Sequence, residues 1–588
     1  MAHTRHLGTS RSIPLGSLPG AALRAVVAEG YGISAFKRDA LAGLVVGVVA
    51  LPLSMALAIA VGVPPQHGLY TAIIAGFVCA LLGGSRTQVT GPTAAFIVIL
   101  APIYAKFGAA GLLVSGLLGG LILVAMGLLR LGRLIQFIPH PVTTGFTAGI
   151  ATVIASMQLK DLLGLQVAGK PEHFADKLLA MFAARGSASR WEFLIGAGTL
   201  GLLLVLPRLT RRFPAPLVAL PLAALVAWVL ARFVPGFHVA TIAERFHTEV
   251  DGSVVNGIPQ LPPLPARPWL AGAQPLTLSF STLRELLPGA LAIAMLGAIE
   301  SLLSAVVADG MARTRHDPDA ELIAQGVGNV VTPFFGGIPA TGAIARTATN
   351  IRAGGRSPVA SMVHALTVLS AVLLLAPLLG YLPMTALAAL LLLVAWNMSE
   401  AKHFVHTLRV APKSDVAVLL TCYSLTVAFD MVIGVSVGMV LAAFLFMRRM
   451  AEVTEAHLAE TTDEGVQREL PPGIALYVIS GPLFFGAAQK AMAALEVVAR
   501  DTRVVILGMD QVHAMDATGL VALESALGSL RSHQRLAILC GVRPQPLGLI
   551  TKAKLLSEEV RSCASLDDAL QLAASVAVSS ERPGHAHA

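Results

Sequence analysis

Long apolar runs dominate this sequence of 588 residues and restrict what it can fold into. A helix needs about 20 mainly apolar residues to cross a bilayer. Only 13% of the residues are charged, whereas soluble domains have about 25%. We therefore predict a polytopic α-helical membrane protein whose membrane domain covers residues 39–449. Its fourteen predicted segments are 39–62, 67–83, 92–106, 109–129, 138–160, 193–207, 215–233, 286–310, 320–335, 341–352, 357–380, 382–398, 414–429 and 431–448.

The basic residues support this number of segments. If the N-terminal segment, residues 1–38, is cytoplasmic, every even-numbered span should lead into a loop that carries Lys or Arg. Seven loops do so, and their first basic residues are Arg86, Arg130, Arg208, Arg313, Arg352, Lys402 and Arg448. The pattern predicts that both termini are cytoplasmic. Because topology accounts for the net charge of +8, we expect no nucleic-acid partner.

The fourteen segments divide into seven and seven, so a second half of similar design would insert with the opposite orientation. The third segment of each half is short and begins irregularly, with TQVTGPTAAFIVIL at 87–100 and GGIPATGAIARTATN at 336–350. Interrupted segments at matching positions of two inverted repeats indicate a transport site near the middle of the membrane. We therefore predict a 7+7 inverted repeat with its site between these two segments.

The two short segments predict an anion site. A helix that begins inside the membrane leaves its first N–H groups unpaired and carries a partial positive charge there. Two such helix ends that face each other would bind an anion through backbone donors. The residues that would open the helices are Thr93, Ala94 and Ala95 in one half, and Thr341, Gly342, Ala343 and Ile344 in the other. Close helix packing, which also favours small residues, is the alternative.

Arg346 lies four or five residues into the second short helix. An ionisable residue inside a span is a functional hypothesis by default, and here its charge would reinforce the backbone donors. The alternative is an arginine that reaches the membrane surface or bonds backbone carbonyls. Arg352, nearer the loop, fits that alternative better.

Glu300 is the other intramembrane charge, near the middle of the eighth segment, with Ser304 one helical turn further on. A buried carboxylate can take up a proton, or it can bind a cation together with hydroxyl oxygens. Either use would couple a cation to anion uptake, so Glu300 and Ser304 are the predicted cation-coupling residues. A salt bridge with Arg346 is the structural alternative.

Other chemistry has no support in the sequence. It contains no nucleophile–base arrangement, no paired catalytic carboxylates and no metal-ligand spacing, so we expect neither an enzyme nor a metal site. The four cysteines are scattered and are expected to be ordinary core residues. We expect no cofactor beyond the co-transported proton, or sodium as the alternative.

The composition changes after Arg449, and residues 450–588 are predicted to form a linker and a small soluble α/β domain. Strands are predicted at 474–480, 502–509 and 535–542, and helices near 486–500, 518–532 and 566–577. Asp516-Ala517-Thr518-Gly519 precedes one of these helices. Asp516 is interpreted as its N-cap.

Several motifs resemble the SulP (sulfate permease) family of anion transporters. They are LAGLVVGVVALPLSMALAIAVGVPPQHGLYTAIIAGFVCALLGGSRTQVTGPTAAF at 41–96, AMLGAIESLL at 294–303 and LTVAFDMVIGVSVGMVLAAFLFMRR at 425–449. The C-terminal region resembles the STAS domain of these transporters. Within the family, the similarity is greatest to bacterial transporters of four-carbon dicarboxylic acids.

The resemblance implies a core domain and a gate domain that move as an elevator, with the anion between the third and tenth helices. It places Thr93, Ala94, Ala343, Ala345 and Arg346 at the substrate. It also implies a homodimer and a cytoplasmic partner, of unknown identity, for the STAS domain.

The expected function is proton-coupled uptake of a small dianion such as succinate, fumarate or aspartate. Sulfate or bicarbonate transport, with sodium as the possible coupling ion, is the first alternative. An anion sensor that signals through the STAS domain is the second. Many sulfate-type members have Pro-Gln-Gly-Met where this chain has Pro52-Leu53-Ser54-Met55, and the missing Gln weighs against sulfate.

Overall fold

The apolar runs of the sequence form helices in the computed structural model, as the hydropathy predicts. The structure describes residues 19–133, 138–167, 174–209, 214–250, 253–272, 275–429, 431–458, 470–484, 487–493 and 502–579. The chain divides into two compact units, residues 1–439 and 440–588. Among the described residues, ten helical stretches are long and apolar enough to cross a membrane.

Among its described residues, the first half of the membrane unit has eight α-helices and one very short strand. They are α1 (Ala21–Ala28), α2 (Ile33–Val61), α3 (Pro65–Leu82), β1 (Thr90–Gly91), α4 (Ile97–Leu128), α5 (His140–Leu162), α6 (Phe174–Ala183), α7 (Arg190–Leu209) and α8 (Ala215–Phe233). Helix α4 is interrupted at Gly108, whose φ of 65° is available to glycine at little cost. This break separates the predicted third and fourth segments, so their boundary is confirmed.

The connection to the second half contains α9 (Ile242–Arg245) and an antiparallel hairpin of β2 (His247–Val250) and β3 (Ser253–Asn256). The second half repeats the order of elements of the first: two long helices, a very short strand and then further helices. It contains α10 (Phe280–Ala312), α11 (Pro318–Val331), β4 (Thr341–Gly342), α12 (Ile344–Arg352), α13 (Pro358–Leu379), α14 (Met384–Ser399), α15 (Ala401–Val410) and α16 (Lys413–Ala428). Helix α17 (Met431–Val453) follows and includes the boundary between the two units. All fourteen predicted segments therefore coincide with helical regions.

Helix packing divides most of the membrane unit into two groups, which correspond to the predicted core and gate. Helices α2, α3, α4, α10, α11 and α13 pack on one another, whereas α5, α7, α8, α14 and α16 form the other group. Glycines of α4 and α11 allow these two core helices to approach closely. A Cβ atom on Gly120 would lie 2.7 Å from the carbonyl oxygen of Gly326. Small residues at this crossing let the two backbones touch, as membrane helix interfaces favour.

The C-terminal unit is the expected α/β domain. Its sheet has the order β5 (Glu455–Leu458), β6 (Ile474–Ser480), β7 (Val504–Gln511), β8 (Leu536–Cys540) and β9 (Val560–Cys563). Strands β6 to β9 are parallel, and β5 is antiparallel to β6. The helices are α18 (Ala487–Ala493), α19 (Ala517–Ser532), α20 (Pro544–Lys552) and α21 (Leu566–Ser579).

The three predicted strands of this unit are confirmed, whereas β5, β9 and α20 were not predicted. Strand β5 was not predicted because it lies in a charged stretch that resembles a linker. An edge strand can form in such a stretch, since it needs little apolar sequence. The carboxylate of Asp516 accepts a hydrogen bond from the amide of Gly519, so its predicted N-cap role is confirmed. The second part of the predicted helix near 486–500 lies outside the described residues.

Candidate functional site

Two very short strands bring the irregular segments of the two halves together. Strands β1 and β4 pair antiparallel, with Thr90 opposite Gly342 and Gly91 opposite Thr341. The amide of Ala343 continues the pairing through a hydrogen bond of 2.9 Å to the carbonyl oxygen of Val89. Because a helix follows each strand, the pairing places two helix N-termini next to each other. This is the arrangement predicted from the matched short segments.

The first helix end follows the predicted pattern. Thr93 is extended, Ala94–Phe96 form a single 3₁₀ turn, and α4 continues from Ile97. Ala94 and Ala95 are buried in that turn.

The second helix end differs from the prediction in its starting residue. Thr341 and Gly342 belong to strand β4, and α12 begins only at Ile344, with Ala343 before it. The placement of Thr341 and Gly342 in the first helical turn was therefore wrong, because their backbones pair with β1 instead. Ala343 is buried and Ala345 is exposed.

Glu300 joins the two segments. One oxygen of its carboxylate, Oε2, accepts hydrogen bonds from the hydroxyl groups of Thr93, at 2.9 Å, and Thr341, at 2.8 Å. The neighbouring Ser301 accepts a hydrogen bond of 3.0 Å from the amide of Gly342. Helix α10 thus presents a carboxylate to both interrupted segments at once.

Ser304 is placed differently from the prediction. Its hydroxyl lies 3.3 Å from that of Thr347 on α12, and within the described residues it makes no hydrogen bond with Glu300. Thr347 in turn accepts a hydrogen bond from the amide of Val89. In this structure Ser304 supports the position of α12, and its predicted role as a cation ligand stays a prediction.

Arg346 is the third residue of α12 and is only 2% exposed. Its Nη2 donates a hydrogen bond of 2.6 Å to the carbonyl oxygen of Pro92. Its Nε and Nη1 have no hydrogen-bond partner among the described residues. Arg346 therefore does not reach the membrane surface, but the other form of the structural alternative, a hydrogen bond to a backbone carbonyl, is observed at Nη2. Arg352 on the same helix is exposed, as expected.

The salt bridge between Arg346 and Glu300, which was the structural alternative to a coupling role, is not observed among the described residues. Within the described part of the chain, neither side chain forms an ion pair. The threonine hydroxyls occupy one oxygen of the Glu300 carboxylate, and the guanidinium is directed to the backbone of the opposite segment. The buried positive charge of Arg346 is thus without a carboxylate partner in this structure. A buried charge without a partner is costly, so an anionic ligand would stabilise it.

Gly91 provides the space that the guanidinium occupies. A Cβ atom at this position would overlap Nη1 of Arg346. A side chain at this position would therefore displace the guanidinium from its place beside strand β1.

Gly91→Ala is expected to displace the guanidinium and to weaken anion binding about tenfold, which corresponds to about 1.4 kcal/mol. Isothermal titration of the purified protein with the transported anion measures this. Gly310→Ala is the matched control, because a Cβ atom there meets nothing within 4 Å. Equal affinity in Gly91→Ala and wild type would contradict this account of the glycine.

A row of polar residues on α11 was missed in the sequence. The side chains of Glu321, Gln325 and Asn329 follow one another at every fourth position and are buried. Residues spaced by four share one face of a helix, and this spacing inside an apolar segment is the signal that could have identified them.

These side chains bind the backbone and side chains of both irregular segments. The Glu321 carboxylate accepts hydrogen bonds from the amides of Gly84 and Ser85. Gln325 donates to the hydroxyl group of Thr90, at 2.7 Å. Asn329 both donates to the carbonyl and accepts from the amide of Ala340. Non-helical backbone inside a membrane protein needs such hydrogen-bond partners. Helix α11 therefore holds both irregular segments in place.

Comparison with known proteins agrees with this architecture. The model of the sulfate permease family matches residues 36–422, and that of the STAS domain matches residues 466–569. The putative sulfate transporter YvdB of Bacillus subtilis is 40% identical over 90% of this chain and 95% of its own length. The bicarbonate transporter BicA of Picosynechococcus is 28% identical over 88% of this chain and 90% of its own length.

Solved structures show the same fold. Murine solute carrier 26 family member A9, described as an anion transporter in the inward-facing state, superposes with a TM-score of 0.82. It is 18% identical, and 97% of each chain is covered. The transmembrane domain of a cyanobacterial bicarbonate transporter BicA gives a TM-score of 0.58 at 28% identity, covering 70% of this chain and 98% of that one.

Proposed function

Since this chain belongs to the sulfate permease family of anion transporters, we propose that it carries a small dianion together with protons across the bacterial inner membrane. The observation that carries this proposal is the meeting of two helix N-termini beside Arg346 and Glu300. The helix ends and the guanidinium are positive and attract an anion. The carboxylate is negative and opposes it.

Electrostatic repulsion between the Glu300 carboxylate and the anion couples proton binding to anion binding. While Glu300 is ionised, its charge lies against the same two segments that would hold the substrate, and like charges repel. A proton on its second oxygen removes that charge and leaves the two threonine hydrogen bonds to Oε2 in place. The anion then binds more tightly to the protonated site, and by reciprocity the proton binds more tightly when the anion is present.

We propose four-carbon dicarboxylates, such as succinate, fumarate and aspartate, as the substrates. Two motif features support this: the resemblance to bacterial dicarboxylate transporters and Leu53 in place of the glutamine of sulfate-type members. Sulfate or bicarbonate is the second candidate, favoured by the names of the relatives, with sodium as its possible coupling ion.

The separation of the helices into two groups supports an elevator movement, in which the core carries the anion past the gate. Both termini would be cytoplasmic, and the transporter would be a homodimer. The STAS domain would bind a cytoplasmic partner. An anion sensor that acts through this domain is the remaining alternative, and transport assays separate it from a carrier.

Uptake into proteoliposomes tests the proposal. Labelled succinate, sulfate and bicarbonate are each supplied with an inward proton gradient, an inward sodium gradient or no gradient. We expect succinate to accumulate with the proton gradient alone, about tenfold per pH unit for each proton carried. Accumulation with sodium alone would overturn the proton coupling, and accumulation of sulfate instead of succinate would overturn the substrate. No gradient-driven accumulation of any anion would refute secondary transport.

A further inference from the structure

The connection between the two halves of the membrane unit is attached to the gate at its beginning. The amide of Ala240 donates a hydrogen bond of 2.8 Å to Oε1 of Glu192, at the start of gate helix α7. Five residues later, Nη1 of Arg245 lies 2.9 Å from Oδ1 of Asp161, near the end of gate helix α5. Residues 240–245, the gate-bound part of the connection, are therefore held by two gate helices.

Backbone pairing holds the gate-bound part a second time. Three hydrogen bonds join it to the linker between α13 and α14: from Ile242 to Leu382, from Ala243 to Gly380 and from Met384 to Ala240. The linker leads from core helix α13 to gate helix α14. This pairing therefore holds the gate-bound part at the boundary between the two groups of helices.

The next part of the connection is attached to the core. Nε2 of Gln66, in the first turn of core helix α3, donates a hydrogen bond of 2.8 Å to Oγ1 of Thr248 in strand β2. Gln66 is buried. After the hairpin of β2 and β3, Nε2 of Gln260 donates to the carbonyl oxygen of Leu373 on core helix α13, at 3.3 Å. One short segment thus carries an attachment to the gate and, directly after it, an attachment to the core.

The link between these two attachments has no slack. Phe246 and His247 are the residues that separate Arg245 from Thr248. The backbone of Phe246 is extended, with φ −120° and ψ 127°, and the two residues that follow belong to strand β2. Three residue steps of extended chain span at most about 11 Å. A movement that separates α3 from α5 and α7 at this point must therefore break one of the attachments.

The attachment to the core is the weaker of the two at this link. On the gate side, the buried carboxylate of Glu192 accepts the hydrogen bond of Ala240, and backbone pairing adds to it. On the core side, the bond between Gln66 and Thr248 joins two neutral side chains. Hydrogen bonds that involve a charged group are stronger than those between neutral groups. Thr248 should therefore separate from Gln66 first.

We propose that Gln66 and Thr248 form a latch, which is closed in this structure and opens when the core moves past the gate. This inference rests on the proposed function, because it requires the elevator movement. The gate-bound part stays with the gate, and the hairpin supplies free chain between Thr248 and Gln260 once the latch is open. Gln66 is thus a positioning residue, which stabilises one state of the carrier and does not touch the substrate.

Crosslinking tests the latch. Gln66→Cys and Thr248→Cys are combined in full-length protein whose four native cysteines are replaced by alanine. A short bifunctional thiol reagent then joins the two positions through reducible bonds, and mass spectrometry measures the crosslinked fraction. We expect complete crosslinking to abolish uptake of the transported anion into proteoliposomes, and a reductant to restore it. Asp161→Cys with Arg245→Cys is the matched control, because its crosslink lies within the gate attachment and should leave uptake unchanged.

The outcomes separate the latch from the proposed function. Unchanged uptake after complete crosslinking of positions 66 and 248 would overturn the latch and leave the carrier mechanism in place. Loss of uptake on crosslinking positions 161 and 245 would overturn the assignment of the gate-bound part. If the wild type transports none of succinate, sulfate and bicarbonate, the proposed function fails, and a distance measurement decides about the latch.

That measurement needs no substrate. Spin labels are placed at two exposed positions of the same cysteine-free protein, Lys106 on core helix α4 and Arg190 on gate helix α7, and pulsed EPR gives the distances between them. Thr248→Val removes the hydroxyl group that accepts the hydrogen bond of Gln66. Since a hydrogen bond between neutral groups favours one state by about fivefold, the ratio of a second distance to the first should rise about fivefold in Thr248→Val. An unchanged distance distribution would overturn the proposal.

Discussion

Arg346→Ala is expected to lower anion affinity by about 10- to 100-fold and to lower uptake correspondingly at substrate concentrations near the wild-type Kd. The variant loses a buried charge, and a hydrogen bond that involves a charged group contributes about 1.5–3 kcal/mol. Titration calorimetry measures the affinity, and proteoliposome uptake measures transport. The fold should persist, because among the described residues the guanidinium makes a single hydrogen bond, to Pro92.

Two further variants make this result interpretable. Arg352→Ala removes an arginine from the exposed end of the same helix and should leave binding unchanged. Arg346→Lys keeps the charge but loses the planar fork, so an intermediate affinity is expected. Wild-type affinity in Arg346→Ala would mean that the charge serves only to hold strand β1 and helix α12 together.

Glu300→Gln is expected to preserve anion binding and to lower the accumulation that a proton gradient drives. The amide oxygen still accepts hydrogen bonds from Thr93 and Thr341, so the site keeps its shape, but the group no longer exchanges a proton. For a gradient of one pH unit, the loss of one coupled proton lowers the accumulation ratio about tenfold. The measurement is steady-state uptake into proteoliposomes at several imposed gradients.

The control is Glu285→Gln on the same helix, where the carboxylate is exposed beside Lys106. This variant should accumulate the anion as the wild type does. Anion exchange without a gradient should continue in Glu300→Gln, which separates uncoupling from a failure to transport. Normal concentrative uptake by Glu300→Gln would exclude this carboxylate from the coupling.

Much of the site could be predicted from local sequence. The interrupted segments were identifiable because glycine, proline and threonine break an apolar run at the same place in each half. Glu300 and Arg346 were identifiable because charges inside such runs are rare. The starting residue of α12 was not, since whether Thr341 and Gly342 are helical or extended depends on strand β1, in the other half of the chain.

The hydrogen-bond partners of the charged residues could not be predicted from the sequence either. Opposite charges in one membrane suggest a salt bridge, but Glu300 is held by hydroxyl groups, of which that of Thr93 is 207 positions away in the chain. Arg346 likewise meets the carbonyl of Pro92, 254 positions away. The spacing of Glu321, Gln325 and Asn329 could have identified a polar face of α11, but not the backbone amides that Glu321 binds.

The sequence by itself determined the fold class, the fourteen segments and the position of the two interruptions, because the bilayer imposes a length and an apolar composition on every span. Only the tertiary structure decided which groups meet at the interruptions. Strand pairing across the two halves aligns the helix ends, and Arg346 meets the carbonyl of Pro92 in the opposite half of the chain. Such pairings depend on residues far apart in the chain, and no local pattern encodes the distance between them.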